Sequence, residues 1–412
     1  MEDVIQRFLR YVKYDTCSNE ISPAYPSTDG QLIFAQVLAD ELAHMGLKDA
    51  CVDQNGYVTA TLTSNVSSNL PAIGFISHMD TSPDMPGHDV KPHIIENYDG
   101  SDIILNRDMG IVLSPSEFPH LRNYIGQDII VTDGTTLLGA DDKAGVAEIM
   151  TAVEFLLEHS EIKHGTVKVC FTPDEEVGRG VDRFDTAKFG AAFAYTVDGG
   201  EIGELNYENF NAAAARIKIK GKSIHTGDAK GKMKNAVLIG MELNDMLPPD
   251  EIPANTEGYE GFYHINNFDG NVDHADAYYL IRDFDKKGFE DRKNFMKGIA
   301  DKLNAKYGAD TVNIDLYDQY YNMKEIIERH MYAIDIAKAA MQQAGVQPLI
   351  LPIRGGTDGA RLSYMGLPTP NIFTGGHNFH GRYEYIPVQS MQKAVEVIVN
   401  IAINCCTYPW PS

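Results

Sequence analysis

Val167-Lys168-Val169-Cys170-Phe171-Thr172-Pro173-Asp174-Glu175-Glu176-Val177-Gly178 runs an apolar stretch straight into two adjacent carboxylates, Glu175 and Glu176. Val167 to Phe171 reads as a buried strand. An open α/β sheet gathers its ligands beyond the C-terminal ends of its strands, so both acids are aimed at that edge. Side by side there, they suggest a shared task, one holding a metal and the other moving a proton.

Three distant segments repeat the arrangement. Ala72 to Ser77 leads into His78-Met79-Asp80, Ala192 to Val197 into Asp198-Gly199-Gly200, and Pro370 to Thr374 into Gly375-Gly376-His377-Asn378-Phe379-His380. A further pair, Asp141-Asp142, follows Leu137-Leu138-Gly139-Ala140, where a helix begins. A polar loop after one strand is ordinary. Four of them would lie along one edge of one sheet, and that shared placement carries the argument.

The alternation of helices and strands up to about residue 210 gives an α/β domain with a mixed, largely parallel sheet covered by helices. Val4, Phe8, Leu9 and Val12 form one helical stripe. Leu32, Ile33, Val37, Leu38, Leu42 and Met45 form another, and Val146, Ile149, Met150, Val153, Leu156 and Leu157 a third. From 211 to 322 the order becomes β-α-β-β-α-β, the ferredoxin-like pattern, with Phe295, Met296, Ile299 and Leu303 on one side of its second helix. This stretch supplies none of the strand-end acids and reads as an inserted domain. The expected division is 1–210 and 323–412 for the catalytic domain and 211–322 for the insertion.

At 412 residues the chain has room for two such domains. A net charge of −23, from 35 basic and 58 acidic residues, argues against a nucleic-acid or anionic-membrane partner. No apolar run reaches the ~18 residues of a membrane span. Five cysteines, an odd number without a CxxC pair, and an acidic start, Met1-Glu2-Asp3, without a signal-peptide stretch point to a cytoplasmic protein with reduced thiols.

His78, Asp141, Glu175, Glu176, Asp198 and His380 offer nitrogen and oxygen donors and no thiolate, which suits zinc, manganese or cobalt in a catalytic site. Five ligands and one free carboxylate suffice for two metals sharing a bridging acid, with the free carboxylate taking a proton from water. By eye, Asp142 can stand in for Asp141 and His377 for His380.

His78-Met79-Asp80, Gly139-Ala140-Asp141-Asp142-Lys143, Glu175-Glu176 and His380-Gly381-Arg382-Tyr383-Glu384 together resemble the M20 family of dinuclear zinc peptidases and deacylases. The resemblance spans essentially the whole chain. Thr256 to Tyr263 and Arg354-Gly355-Gly356-Thr357-Asp358-Gly359-Ala360-Arg361 bring it nearest to the tripeptide-cleaving aminopeptidases of that family. It implies a zinc-peptidase-like catalytic domain with two zinc ions per chain. His78 and Asp198 would hold the first, Glu176 and His380 the second, and Asp141 would bridge them. The family's Asp-x-Lys and His-x-x-x-Glu spacings favour Asp141 and His380 over their neighbours.

Asp80 would orient His78, and Glu175 would be the general base. His225 would donate a hydrogen bond to the scissile carbonyl oxygen. Arg354 would grip a peptide carboxylate, with Asn378 near the substrate. The implied activity is release of the N-terminal residue of a tripeptide by zinc-activated water. A dipeptidase, carboxypeptidase or N-acyl amino-acid deacylase is the alternative within the family, and an inactive peptide-binding relative the alternative outside it. A homodimer is compatible with the resemblance, and the sequence does not decide it.

Overall fold

The computed structural model describes residues 3–68 and 70–410; Met1 and Glu2 of the acidic start lie outside them. Two compact units emerge. The first takes the chain through Tyr207, then Glu325–Leu351 and the residues from Thr357 onward, and the second takes Glu208–Lys324 with Pro352–Gly356. The sequence reading leaves 352–356 with the catalytic domain. The structure moves it to the second unit, where Ile353 N donates to Glu208 O at 2.8 Å.

The first unit is built on an eight-stranded sheet in the order Cys51–Val52, Val58–Leu62, Val167–Thr172, Ile73–His78, Phe193–Gly199, Asn371–Phe373, Glu204–Asn206, Leu349–Ile350. Its four central strands, from Val167–Thr172 to Asn371–Phe373, are mutually parallel. They are buried almost throughout, as strands covered on both faces must be. Helix Ala140–Glu158 packs on Ile73–His78 and Phe193–Gly199, and helix Val388–Thr407 packs on that helix in turn. Val146, Ile149, Met150, Val153 and Leu156 are all buried, each contributing about 1.5–3 kcal/mol. Gly145 allows the close approach, because a Cβ there would lie 2.0 Å from Val197 O.

Helix Asp29–Met45 departs from the expected stripe. Leu32 and Ile33 are exposed, and Gln31, Phe34, Ala35, Leu38, Ala39 and Leu42 face inward. The buried amide of Gln31 donates to Asp174, Nε2 to Oδ1 at 2.8 Å, on the same inner face. Three short strands, His93–Ile95, Ile129–Val131 and Tyr385–Pro387, form a small antiparallel sheet.

The second unit has the order Asn211–Lys220, Ala236–Asp245, Phe262–Gly270, His274–Asp283, Lys286–Tyr307, Val312–Tyr320. Its sheet is antiparallel throughout, in the spatial order Phe262–Gly270, His274–Asp283, Asn211–Lys220, Val312–Tyr320. Ala213, Ala215, Ile217 and Ile219 alternate into a core with Ile239, Leu243, Phe289, Met296, Ile299 and Leu303. Phe295 is 44% exposed instead of inward, since the inner stripe runs through Phe289, Met296, Ile299 and Leu303. No helix among the described residues is long and apolar enough to cross a membrane.

Candidate metal centre

The four parallel central strands end together, with His78 and Thr172 paired in register. His78 ends one, Asp198 lies near the end of the next, Glu175 and Glu176 follow Thr172, and the loop after Phe373 carries His380. Asp141 comes in at the start of helix Ala140–Glu158. These side chains form two ligand groups, His78–Asp141–Asp198 and Asp141–Glu176–His380, which share Asp141. Asp141 turns one oxygen to each imidazole: Oδ1 lies 2.9 Å from His78 Nε2, and Oδ2 lies 3.1 Å from His380 Nε2. Asp198 Oδ1 is 3.5 Å from His78 Nε2, and Glu176 Oε2 is 2.9 Å from His380 Nε2.

The two open choices of the sequence part clearly in space. Asp142 is buried away from both groups, its carboxyl taking bonds from Ser77 Oγ and from His78 N. His377 faces Tyr124, Nε2 to Oη at 2.6 Å, and stacks on the rings of His120 and Tyr385. Burial among these rings pushes the His377 imidazole down to about 3.

The backs of both ligand imidazoles meet aspartates. Asp80, fully buried, places Oδ1 3.3 Å from His78 Nδ1. It also accepts the backbone N–H groups of Glu175 (3.0 Å) and Glu176 (3.2 Å), while its backbone carbonyl meets His78 Nδ1 at 3.1 Å, so Asp80 steadies the imidazole and the acid pair together. Asp84 does for His380 what Asp80 does for His78, Oδ2 to Nδ1 at 3.4 Å, though it is far more exposed. The sequence reading passes over Asp84, six residues beyond His78 in the same loop. Asp174, before the acid pair, is also held: Ser27 N, Ser27 Oγ and Gln31 Nε2 all donate to it.

As protein groups alone, the acids crowd one another. Burial pushes Glu176 up to about 8, with the charge of Asp141 adding to it. Burial likewise lifts Asp198 to about 6 and Glu175 well above the carboxylate range. For His380 burial works downward, but Asp141 and Glu176 outweigh it and hold the imidazole at about 11. Burial also opposes charge on His78, where Asp198, Asp141 and Asp80 win. Asp141 alone moves down, because the two imidazoles overcome its burial. The cluster holds protons that bound cations would displace. Glu176 Oε1 is buried without a hydrogen-bond partner. An all nitrogen and oxygen donor set with an orphaned ligand oxygen fits a pair of divalent cations.

The remaining candidates belong to neither ligand group. His225 belongs to the second unit; its side chain is 80% exposed, and its Nδ1 accepts from Gly227 N at 3.2 Å. Arg354 has both terminal nitrogens engaged within that unit. Nη1 donates to Gly258 O (2.7 Å) and Glu260 O (3.1 Å), and Nη2 to Thr256 O (3.2 Å) and Oγ1 (3.0 Å). The guanidinium also lies over the ring of Phe210. Asn378 donates its amide to Tyr383 O at 3.0 Å.

Residues 134–404 match Peptidase family M20/M25/M40. The chain belongs to this family. It is 64% identical over 401 residues to a Peptidase T of Caldanaerobacter subterraneus subsp. tengcongensis, covering 97% of this chain and 98% of that one. Among solved M20-like folds, the aminopeptidase PepT of Bacillus cereus superposes with a TM-score of 0.77 at 24% identity over 98% of each chain. A tripeptidase of Staphylococcus aureus superposes with a TM-score of 0.78 at 21% identity, also over 98% of each.

Proposed function

We propose that this M20 protein is a dinuclear zinc aminopeptidase that releases the N-terminal residue of tripeptides. One observation carries the dinuclear reading: Asp141 gives each of its oxygens to a different imidazole. His78, Asp141 and Asp198 would hold one cation, and Asp141, Glu176 and His380 the other. Zinc suits the donors, with manganese or cobalt as substitutes. Bound there, the pair would polarise a carbonyl and lower the pKa of a water toward ~7.

Glu175 takes the proton of the attacking water and hands it to the departing amine. Burial first of all raises its pKa well above the carboxylate range, which favours its holding a proton. Asp80 keeps it in place through its backbone N–H. His225 serves as the donor to the carbonyl oxygen as charge develops there. Arg354 and Asn378 are weaker substrate contacts, since each would have to exchange an internal hydrogen bond for one to the peptide. Tripeptide selectivity is supported by the high identity to a Peptidase T. A cytoplasmic setting is supported by five free thiols.

The test is a rate comparison of one peptide as dipeptide, tripeptide and tetrapeptide, with the tripeptide also N-acetylated. The free tripeptide is expected to be cleaved fastest, releasing its first residue. Preference for the acetylated form would turn the reading to a deacylase, and release of the last residue to a carboxypeptidase.

A further inference from the structure

Glu384 lies in the first unit, four residues beyond His380, and is 1% exposed. Its carboxylate accepts three backbone N–H bonds from a single turn. Oε2 receives Leu138 N at 2.6 Å and Gly139 N at 2.8 Å, and Oε1 receives Asp141 N at 3.1 Å. That turn opens helix Ala140–Glu158 irregularly. Gly139 is left-handed at φ +82°, offers no side-chain cap, and is followed by non-helical dihedrals at Asp141 and Asp142. The first N–H groups of a helix lack acceptors within it. Here the acceptor comes from more than 240 residues along the chain.

The same carboxylate sits at the foot of the loop that presents His380. His377 and Tyr385 exchange both backbone hydrogen bonds, at 2.9 and 3.1 Å, closing that loop at its base. Within it Asn378 (φ +57°) and His380 (φ +62°) adopt the left-handed region, which side chains other than glycine rarely enter. Such a loop keeps its shape only where its surroundings over-determine it. His78 and Asp198, by contrast, sit on paired strands of the central sheet rather than on a left-handed loop.

We infer that Glu384 is a positioning residue that joins the turn of Asp141 to the loop of His380, and so sets the metal position formed by Asp141, Glu176 and His380. The inference rests on the dinuclear reading above. It separates the two positions by degree: both share Asp141, but the Glu176–His380 position depends on Glu384 through Asp141 and through the His380 loop, and the His78–Asp198 position through Asp141 alone. A burial-only role would lower stability without that asymmetry.

Zinc titration of the metal-free protein, followed by calorimetry, tests this in Glu384→Gln and Glu384→Asp. Gln keeps the shape but turns an NH₂ donor toward backbone donors. Asp keeps the charge but withdraws it by one methylene. Glu384→Gln is expected to bind its first ion only slightly more weakly than the wild type and its second about 10–100-fold more weakly, the scale of losing a supporting group behind a ligand. Excess zinc should then restore kcat with KM unchanged, and Glu384→Asp should fall between. Two ions bound with wild-type affinity would overturn the inference. So would equal weakening of both ions together with a lower melting temperature of the metal-free protein. If Glu384→Gln does not fold, the same two results in Glu384→Asp decide. A wild type that binds fewer than two ions would instead overturn the dinuclear reading itself, and this inference with it.

Discussion

His78 and His225 mark the contrast between the two units. His78 is 3% exposed, at the end of a strand paired on both sides, with three aspartates around its ring. His225 follows a strand too, but on an exposed loop where its ring meets Gly227 N and, at 3.9 Å, the Asp228 carboxylate. The first ring's position is imposed by the sheet before any ligand arrives. The second ring's role depends on what the loop meets. Electrostatics deepen the contrast: acids are packed together around His78, whereas the side chain of His225 is 80% exposed. Substitutions in the first unit should therefore separate metal binding from chemistry, and substitutions in the second should change turnover while leaving the metals in place.

The largest effect is expected at Glu175. Glu175→Gln should retain both metals and lose roughly 10²–10⁴-fold in kcat, the range for removing a general base. Glu176→Gln should instead lose metal, and the reverse pattern would exchange their roles. His225→Ala should lower kcat about 10²-fold with a smaller change in KM and unchanged metal content, as for a lost oxyanion donor. Wild-type turnover in that variant would break the comparison, leaving the second unit without a part in the chemistry.

Asp80→Ala should weaken metal binding about 10–100-fold, because the carboxylate behind His78 is removed and the N–H groups of Glu175 and Glu176 lose their acceptor. Unchanged zinc affinity would mean that the strand end alone holds His78. The smallest effect is expected at Arg354. Arg354→Ala should destabilise the second unit by about 1–3 kcal/mol, seen in denaturant melts, as the hydrogen bonds to loop 256–260 are lost. A fall in tripeptide kcat/KM without any loss of stability would restore Arg354 as the carboxylate grip.

The convergence of the candidate ligands was legible because a parallel sheet repeats its geometry. One apolar run ending in His, Asp or Glu says little, but four such runs converge at one sheet edge. Asp141 against Asp142 and His377 against His380 were not legible from the residues, because neighbours in an irregular turn point in directions that only its dihedrals fix. Glu384 looked like a spacing marker; its three backbone partners exist only once residues 138–141 are folded beside it. The stripe through Leu32 and Ile33 was misphased because hydrophobicity alone does not reveal that Gln31 is drawn inward by Asp174. Strands of three residues, such as Ile129–Val131, are too short to show a period. Segment 352–356 crosses to the second unit through hydrogen bonds that no local pattern encodes.

Metal stoichiometry measured alongside tripeptide turnover tests the central claim most directly. Metal-free protein should be inactive, and zinc added in steps should bring it to two ions per chain with tripeptide cleavage appearing as the sites fill. Full cleavage in protein verified to be free of metal, or saturation of activity with no ion bound by the His78 and His380 groups, would contradict the account.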